Sequence, residues 1–254
     1  MKYTFGTGNE AASRLEEISK FFNPLASALL TQYIKKSPAI AFDIGCGPGF
    51  TTDMLYQAIK PHEIYGLDNS PVFLDIAKSR FPHCHFIEHD ITVAPFPVMG
   101  DVMYARFILS HLPNPVEVIK NWVTQLKTGG TIVIEEVEAI ETEIEVFKLY
   151  LSTNEALVAT QGAHLFVGQE LAGKNYDAEI LIDDCAILPV ADSQAATWFL
   201  PNTTTTWRQS EFVQKRLSPP EIENISNALF KLTNSEDKAS HTVWKMRRIV
   251  LRQN

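Results

Sequence analysis

The stretch Phe42-Asp43-Ile44-Gly45-Cys46-Gly47-Pro48-Gly49-Phe50 decides how the rest of the chain is read. A short apolar run, Ala39 to Ile44, enters three closely spaced glycines, and a helix-like segment follows at about residues 50–60. Glycine suits such a turn because the backbone must bend tightly and admit a ligand where a Cβ would otherwise stand. Open N–H groups at the start of the following helix favour a negatively charged group. The spacing departs from the dinucleotide fingerprint GxGxxG. Gly45 and Gly47 fit it, but Phe50 stands where the third glycine belongs and Gly49 arrives one residue early. Pro48 removes one backbone donor as well. Both departures disfavour a pyrophosphate, and with it a nicotinamide dehydrogenase. They favour an adenosine ligand that ends in an amino-acid carboxylate.

Moving outward, similar apolar runs recur at Glu63–Asp68, His85–Asp90, Asp101–Ala105 and Gly130–Glu135. Helix-like stretches at about 70–80 and 115–127 separate them. Strands alternating with helices of this length predict βαβ units and a parallel sheet, with helices on both faces and the ligand crevice at the carboxyl ends of the strands. Asp68 closes the second run, about 20 residues past the glycines, where an acid accepts hydrogen bonds from ribose hydroxyls. Asp90 closes the third, placed to accept from an adenine amino group. Upstream, residues 9–36 read as helix broken near Asn23-Pro24. Downstream, 141–161 reads as helix, Glu179–Leu188 as strand, Ser218 to about Thr233 as helix and Thr242–Leu251 as a final strand.

The 254 residues are 45% hydrophobic and 20% charged, with a formal net charge of −8. That sign speaks against a nucleic acid or an anionic membrane surface as partner, since both need clustered Lys and Arg. Cys46, Cys84 and Cys185 form no CxxC pair or zinc-like cluster, so no metal site is expected. Met1 to Glu10 is polar and Gly-rich rather than a secretory signal, and no apolar run reaches a membrane span. The expectation is a cytoplasmic protein with free thiols, monomer or homodimer.

With those residues in view, the chain resembles the class I S-adenosylmethionine-dependent methyltransferases over residues 39–138. Phe42 to Gly49 is similar to the family's first motif, Gly66-Leu67-Asp68-Asn69-Ser70 to its second and His89-Asp90-Ile91 to its third. Tyr104 to Pro115 resembles the fourth, and Leu126-Lys127-Thr128-Gly129-Gly130 the entry to the fifth strand. Tyr3 to Gly6 and Arg14-Leu15 look like the start of bacterial enzymes that methylate small metabolites. The resemblance implies an α/β, Rossmann-like, seven-stranded and mostly parallel sheet whose last strand is antiparallel. It implies an N-terminal helical lid over 1–36, a cofactor domain over 37–254 and a substrate-side helical insertion at about 139–175. It implies S-adenosyl-L-methionine held by Asp43, Gly45, Cys46, Gly47, Gly49, Asp68, Asn69, Asp90, Ile91 and Arg106. It also implies a small-molecule methyl acceptor near Tyr3, Arg14 and Glu136, with Arg106 and His111 at the reacting end.

Each residue keeps a plainer reading. The glycines also make a structural βα turn; Asp68 and Asp90 also serve as strand-end or turn acids. Arg106 either grips a carboxylate of cofactor or substrate through its planar fork or closes a structural salt bridge. His111 is a general base or a packing and capping histidine ahead of Leu112-Pro113. Of Glu135, Glu136 and Glu138, one faces the pocket or all form a solvated turn. Cys46 lacks a paired histidine and is no nucleophile. Phe147, Tyr150, Phe166, Trp198, Phe199 and Trp207 either line an aromatic acceptor pocket or pack a core. The rival functions are a protein methyltransferase and a protein that binds S-adenosylmethionine without transferring its methyl group.

Overall fold

The computed structural model describes residues 8–235 and 239–254. Seven strands form one sheet: β1 (Ile40–Ile44), β2 (Glu63–Asp68), β3 (His85–Glu88), β4 (Gly100–Arg106), β5 (Leu126–Thr142), β6 (Glu179–Val190) and β7 (Thr242–Arg252). Their order is β3-β2-β1-β4-β5-β7-β6. The pairs from β3 to β5 are parallel, whereas β7 runs antiparallel to both β5 and β6. The order reverses between β1 and β4, so their carboxyl ends flank the switch point where such sheets take ligands.

The parallel strands are buried on both faces, which is why they read as apolar runs. On one face Phe42, Ile44, Met103, Ile132 and Ile134 pack with Ile119 and Trp122 of α4 (Pro115–Val123). On the other, Ala41, Tyr104 and Val133 share a core with Leu29 and Leu30 of α1 (Asn9–Tyr33) and Leu55 of α2 (Phe50–Ile59). The indole N–H of Trp122 donates to the Ile91 carbonyl at 2.7 Å and so ties α4 to the loop after β3.

The strands of the parallel half lie where the apolar runs predict them, as does α3 (Pro71–Arg80). Three expectations change. The N-terminal helix is continuous through Pro24, because proline costs one backbone bond and Pro24 lies on the exposed side. The fifth strand runs on to Thr142, since β7 pairs with it as far as Thr142–Thr242. Between β6 and β7 the chain holds α7 (Asp192–Thr204), α8 (Thr206–Gln209) and α9 (Glu211–Arg216), unread in the sequence, before α10 (Pro219–Thr233). Two helices follow β5: α5 (Glu145–Ala159) and α6 (Gly168–Leu171).

Phe147, Tyr150, Trp198, Phe199 and Trp207 belong to a buried core with Phe22 and Trp244. Core packing is therefore the reading that these five side chains take. Among the described residues no helix is long and apolar enough to cross a membrane.

Candidate functional site

A cavity of about 380 Å³ opens at the carboxyl ends of β1, β2, β3 and β4. Its floor is the glycine turn. Gly45 has φ 72°, and a Cβ there would lie 2.6 Å from Ile108 Cγ1. Gly47 has φ 49°, and a Cβ there would meet nothing closer than Leu15 and Phe73 at 3.9 Å. The first glycine makes room for a neighbouring loop, and the second leaves open the space that a ligand would fill. Cys46 also lines the cavity; burial pushes its thiol well above its ordinary pKa, so the sulfur stays neutral.

Asp43 and Gly49 support this floor without lining it. The Asp43 carboxylate is 1% exposed and accepts the hydroxyls of Thr51 and Thr52 at 2.7 and 2.6 Å. Burial raises its pKa to about 6. Gly49, at φ 87°, starts α2.

One wall is acidic. Asp68 Oδ2 accepts the Gly47 N–H at 2.9 Å and Oδ1 accepts the Ser70 N–H at 2.8 Å. Burial raises its pKa against the pull of these backbone donors. Asn69 and Asp90 line the same wall, with Ile91 between Asp90 and the core. Asp90 is held by the hydroxyl and N–H of Thr92 at 2.6 and 2.9 Å, which lowers its pKa.

The opposite wall is cationic and aromatic. Arg106 is 8% exposed; Nη2 donates to Asn23 Oδ1 at 2.7 Å, while Nη1 is buried with no hydrogen-bond partner. Its guanidinium lies 5.5 Å from the Phe107 ring centre and 5.8 Å from that of Phe22. His111 lines the cavity half-buried, its pKa lowered to about 4 by burial and by the charge of Arg14. It is therefore a neutral imidazole at neutral pH and a weaker base than an ordinary histidine.

Two of the three predicted acceptor-side residues stand apart from the cavity. Arg14 Nε donates to the Trp198 carbonyl at 2.9 Å and is not in the lining. Glu136 is wholly buried behind the wall, where Oε1 accepts the N–H groups of Ile108 and Leu109. Tyr3 lies outside the described residues. The lining also includes residues that sequence reasoning missed: Leu15, Ile18 and Ser19 from α1, Phe50 and Thr51 from α2, Phe73 from α3, and Gln161 after α5. The i, i+3, i+4 spacing of Leu15, Ile18 and Ser19 marks a single helix face and was the available signal.

The residues present fit an adenosyl amino acid without phosphate. The cradle over Gly47 is open, two carboxylates edge the sugar and base side, and an orphaned guanidinium N–H waits on the other. The fold is that of a Rossmann-like α/β protein, with the cavity at its switch point. Residues 42–134, a little over a third of the chain, match the family model described as a methyltransferase domain.

A trans-aconitate 2-methyltransferase of Rhodopseudomonas palustris is 32% identical over 110 residues, 43% of this chain and 43% of that protein. The match thus spans less than half the length of the curated relative. The YcgJ protein of Bacillus subtilis superposes with a TM-score of 0.60 at 16% identity, covering 91% of this chain and 99% of that one. The [4+2]-cyclase SpnF superposes with a TM-score of 0.53 at 19% identity, covering 91% and 81%. These two structures show the fold alone.

Proposed function

We propose that this chain transfers a methyl group from S-adenosylmethionine to an oxygen or nitrogen atom of a small, carboxylate-bearing metabolite by in-line displacement. The observation that carries the reading is the ordered edge of Gly45, Gly47, Asp68 and Asp90 facing Arg106 across one cavity. When bound, S-adenosylmethionine supplies an electrophilic methyl group on a sulfonium centre. The protein's part is position and electrostatics. Asp68 offers its remaining lone pairs to ribose hydroxyls while its backbone bonds hold it still. Asp90 accepts from the adenine amino group. Leu15, Ile18 and Ser19 of α1 cover the cavity as a lid and keep water out.

The acceptor class rests on Arg106. Among the described residues no carboxylate hydrogen-bonds to this buried guanidinium, although Asp43 and Glu135 feel its charge, and Nη1 still has an unused donor. A ligand carboxylate supplies its acceptor. The relative named for trans-aconitate supports the same choice. A carboxylate or phenolate acceptor reacts without a base, whereas an alcohol or amine would give its proton to His111 Nδ1 or Nε2.

The second reading is cofactor binding without methyl transfer. Incubation with methyl-labelled S-adenosylmethionine and a panel of small acids, amines and phenols tests both. Label transferred to acids supports the proposal. Binding of S-adenosylhomocysteine with no transfer across the panel favours the second reading.

A further inference from the structure

Glu136, expected from the sequence beside the methyl acceptor, is instead a wholly buried carboxylate set back from the cavity lining. Its side chain is 0% exposed, and Oε1 accepts the backbone N–H groups of Ile108 and Leu109, each at 2.8 Å. Oε2 is buried with no hydrogen-bond partner. A carboxyl buried with half its acceptor capacity unused costs stability, so the two bonds it does make must matter elsewhere.

Those two N–H groups open the single turn Leu109–His111, which is too short to satisfy its own first donors. The same loop begins at Phe107, a non-glycine residue at φ 57°. Phe107, Ile108, His111 and Leu112 all carry the loop into the cavity wall. Ile108 fills the space that the missing Cβ of Gly45 leaves. A continuous line therefore runs from the Glu136 carboxyl through the Ile108 backbone to the glycine turn.

We propose that Glu136 is a positioning residue for the cofactor site: it fixes the 107–112 loop, and through it Ile108 against Gly45 and His111 in the cavity. It touches neither ligand nor reacting atoms. The inference rests on the methyltransferase reading above. What the role needs is a buried oxygen acceptor at that distance. Glutamine supplies one, aspartate supplies it too far back, and leucine supplies none.

The test is amide hydrogen exchange on the ligand-free chain together with calorimetry using S-adenosylhomocysteine, for wild type, E136Q, E136D and E136L. In E136L, exchange at Ile108 and Leu109 should quicken about tenfold or more while the amides of β1 and β4 keep their protection. Affinity should fall about tenfold or more, E136D should fall in the same direction, and E136Q should stay close to wild type. E136D decides the matter if E136L does not fold. Unchanged exchange at both amides in E136D or E136L overturns the proposal. So does unchanged affinity in a variant whose loop exchanges faster. If wild type itself binds no S-adenosylhomocysteine, the methyltransferase reading fails, and the exchange result still decides whether Glu136 holds the loop.

Discussion

Asp68, at the end of β2, reaches back to the glycine turn after β1: its Oδ2 accepts the Gly47 N–H at 2.9 Å. One carboxylate thus shapes the floor of the cavity and presents lone pairs to it. This coupling explains why a half-buried acid is retained in spite of a raised pKa.

Asp68→Ala removes both roles. The affinity for S-adenosylhomocysteine should fall about tenfold or more, the scale of charge-assisted hydrogen bonds. Calorimetry checks this, and unchanged affinity would remove Asp68 from the sugar side of the site.

Arg106→Gln separates function from stability. The buried guanidinium makes one side-chain hydrogen bond, to Asn23, and its charge acts on the buried carboxylates of Asp43 and Glu135 without direct contact, so its loss should shift unfolding free energy by about 1–3 kcal/mol. Methyl transfer to carboxylate acceptors should nevertheless fall about tenfold or more, mainly through KM. Denaturant melts and steady-state kinetics on the same preparations provide the comparison.

Gly45→Ala and Gly129→Ala test the crowding at the turn. Both glycines are left-handed, at φ 72° and 77°, but a Cβ meets Ile108 at 2.6 Å in the first case and nothing within 4 Å in the second. Gly129→Ala should cost about 1 kcal/mol of backbone strain, and Gly45→Ala about 2–4 kcal/mol because overpacking adds to it. Equal costs in urea unfolding would deny the Ile108 contact.

The pH dependence of stability should carry opposite signatures from two buried groups. Glu136 is raised from 4.5 to about 8, so its folded state holds the proton more tightly. The stability it contributes is fully present below pH 4.5 and is lost as pH rises towards 8. His111 is lowered from 6.5 to about 4, so its effect runs the other way, with stability lost as pH falls from 6.5 to 4. Glu136→Gln should therefore flatten the decline between pH 4.5 and 8, and His111→Ala should flatten the acid limb. Urea midpoints measured across that range read both.

The parallel half of the sheet was legible because doubly buried strands read as apolar runs closed by Gly or Asp, as at Ile44-Gly45 and Leu67-Asp68. The acids at strand ends followed from the same rule. What stayed hidden depends on contacts distant in sequence. Asp192–Arg216 carries Pro201, a threonine run and aromatic side chains without clean periodicity, and its helices form by packing on Trp244 and Phe22. Glu135 and Glu136 were indistinguishable in sequence. Register decides between them: Glu135 stands opposite Arg106 in the β4–β5 ladder and accepts the Tyr104 hydroxyl, while Glu136 points to the other face and takes the loop N–H groups. The cover from α1 and Gln161 likewise needed the tertiary structure.

The central claim is that one adenosyl amino acid lies along the carboxyl edge of β1, β2 and β3. A crystal structure of the chain grown with S-adenosylhomocysteine tests it most directly. The account predicts density with the ribose on Asp68, the adenine beside Asp90 and the amino-acid end over Gly45 and Gly47. Density for the ligand elsewhere, with Asp68 turned from it and the glycine turn filled by side chains, would contradict it.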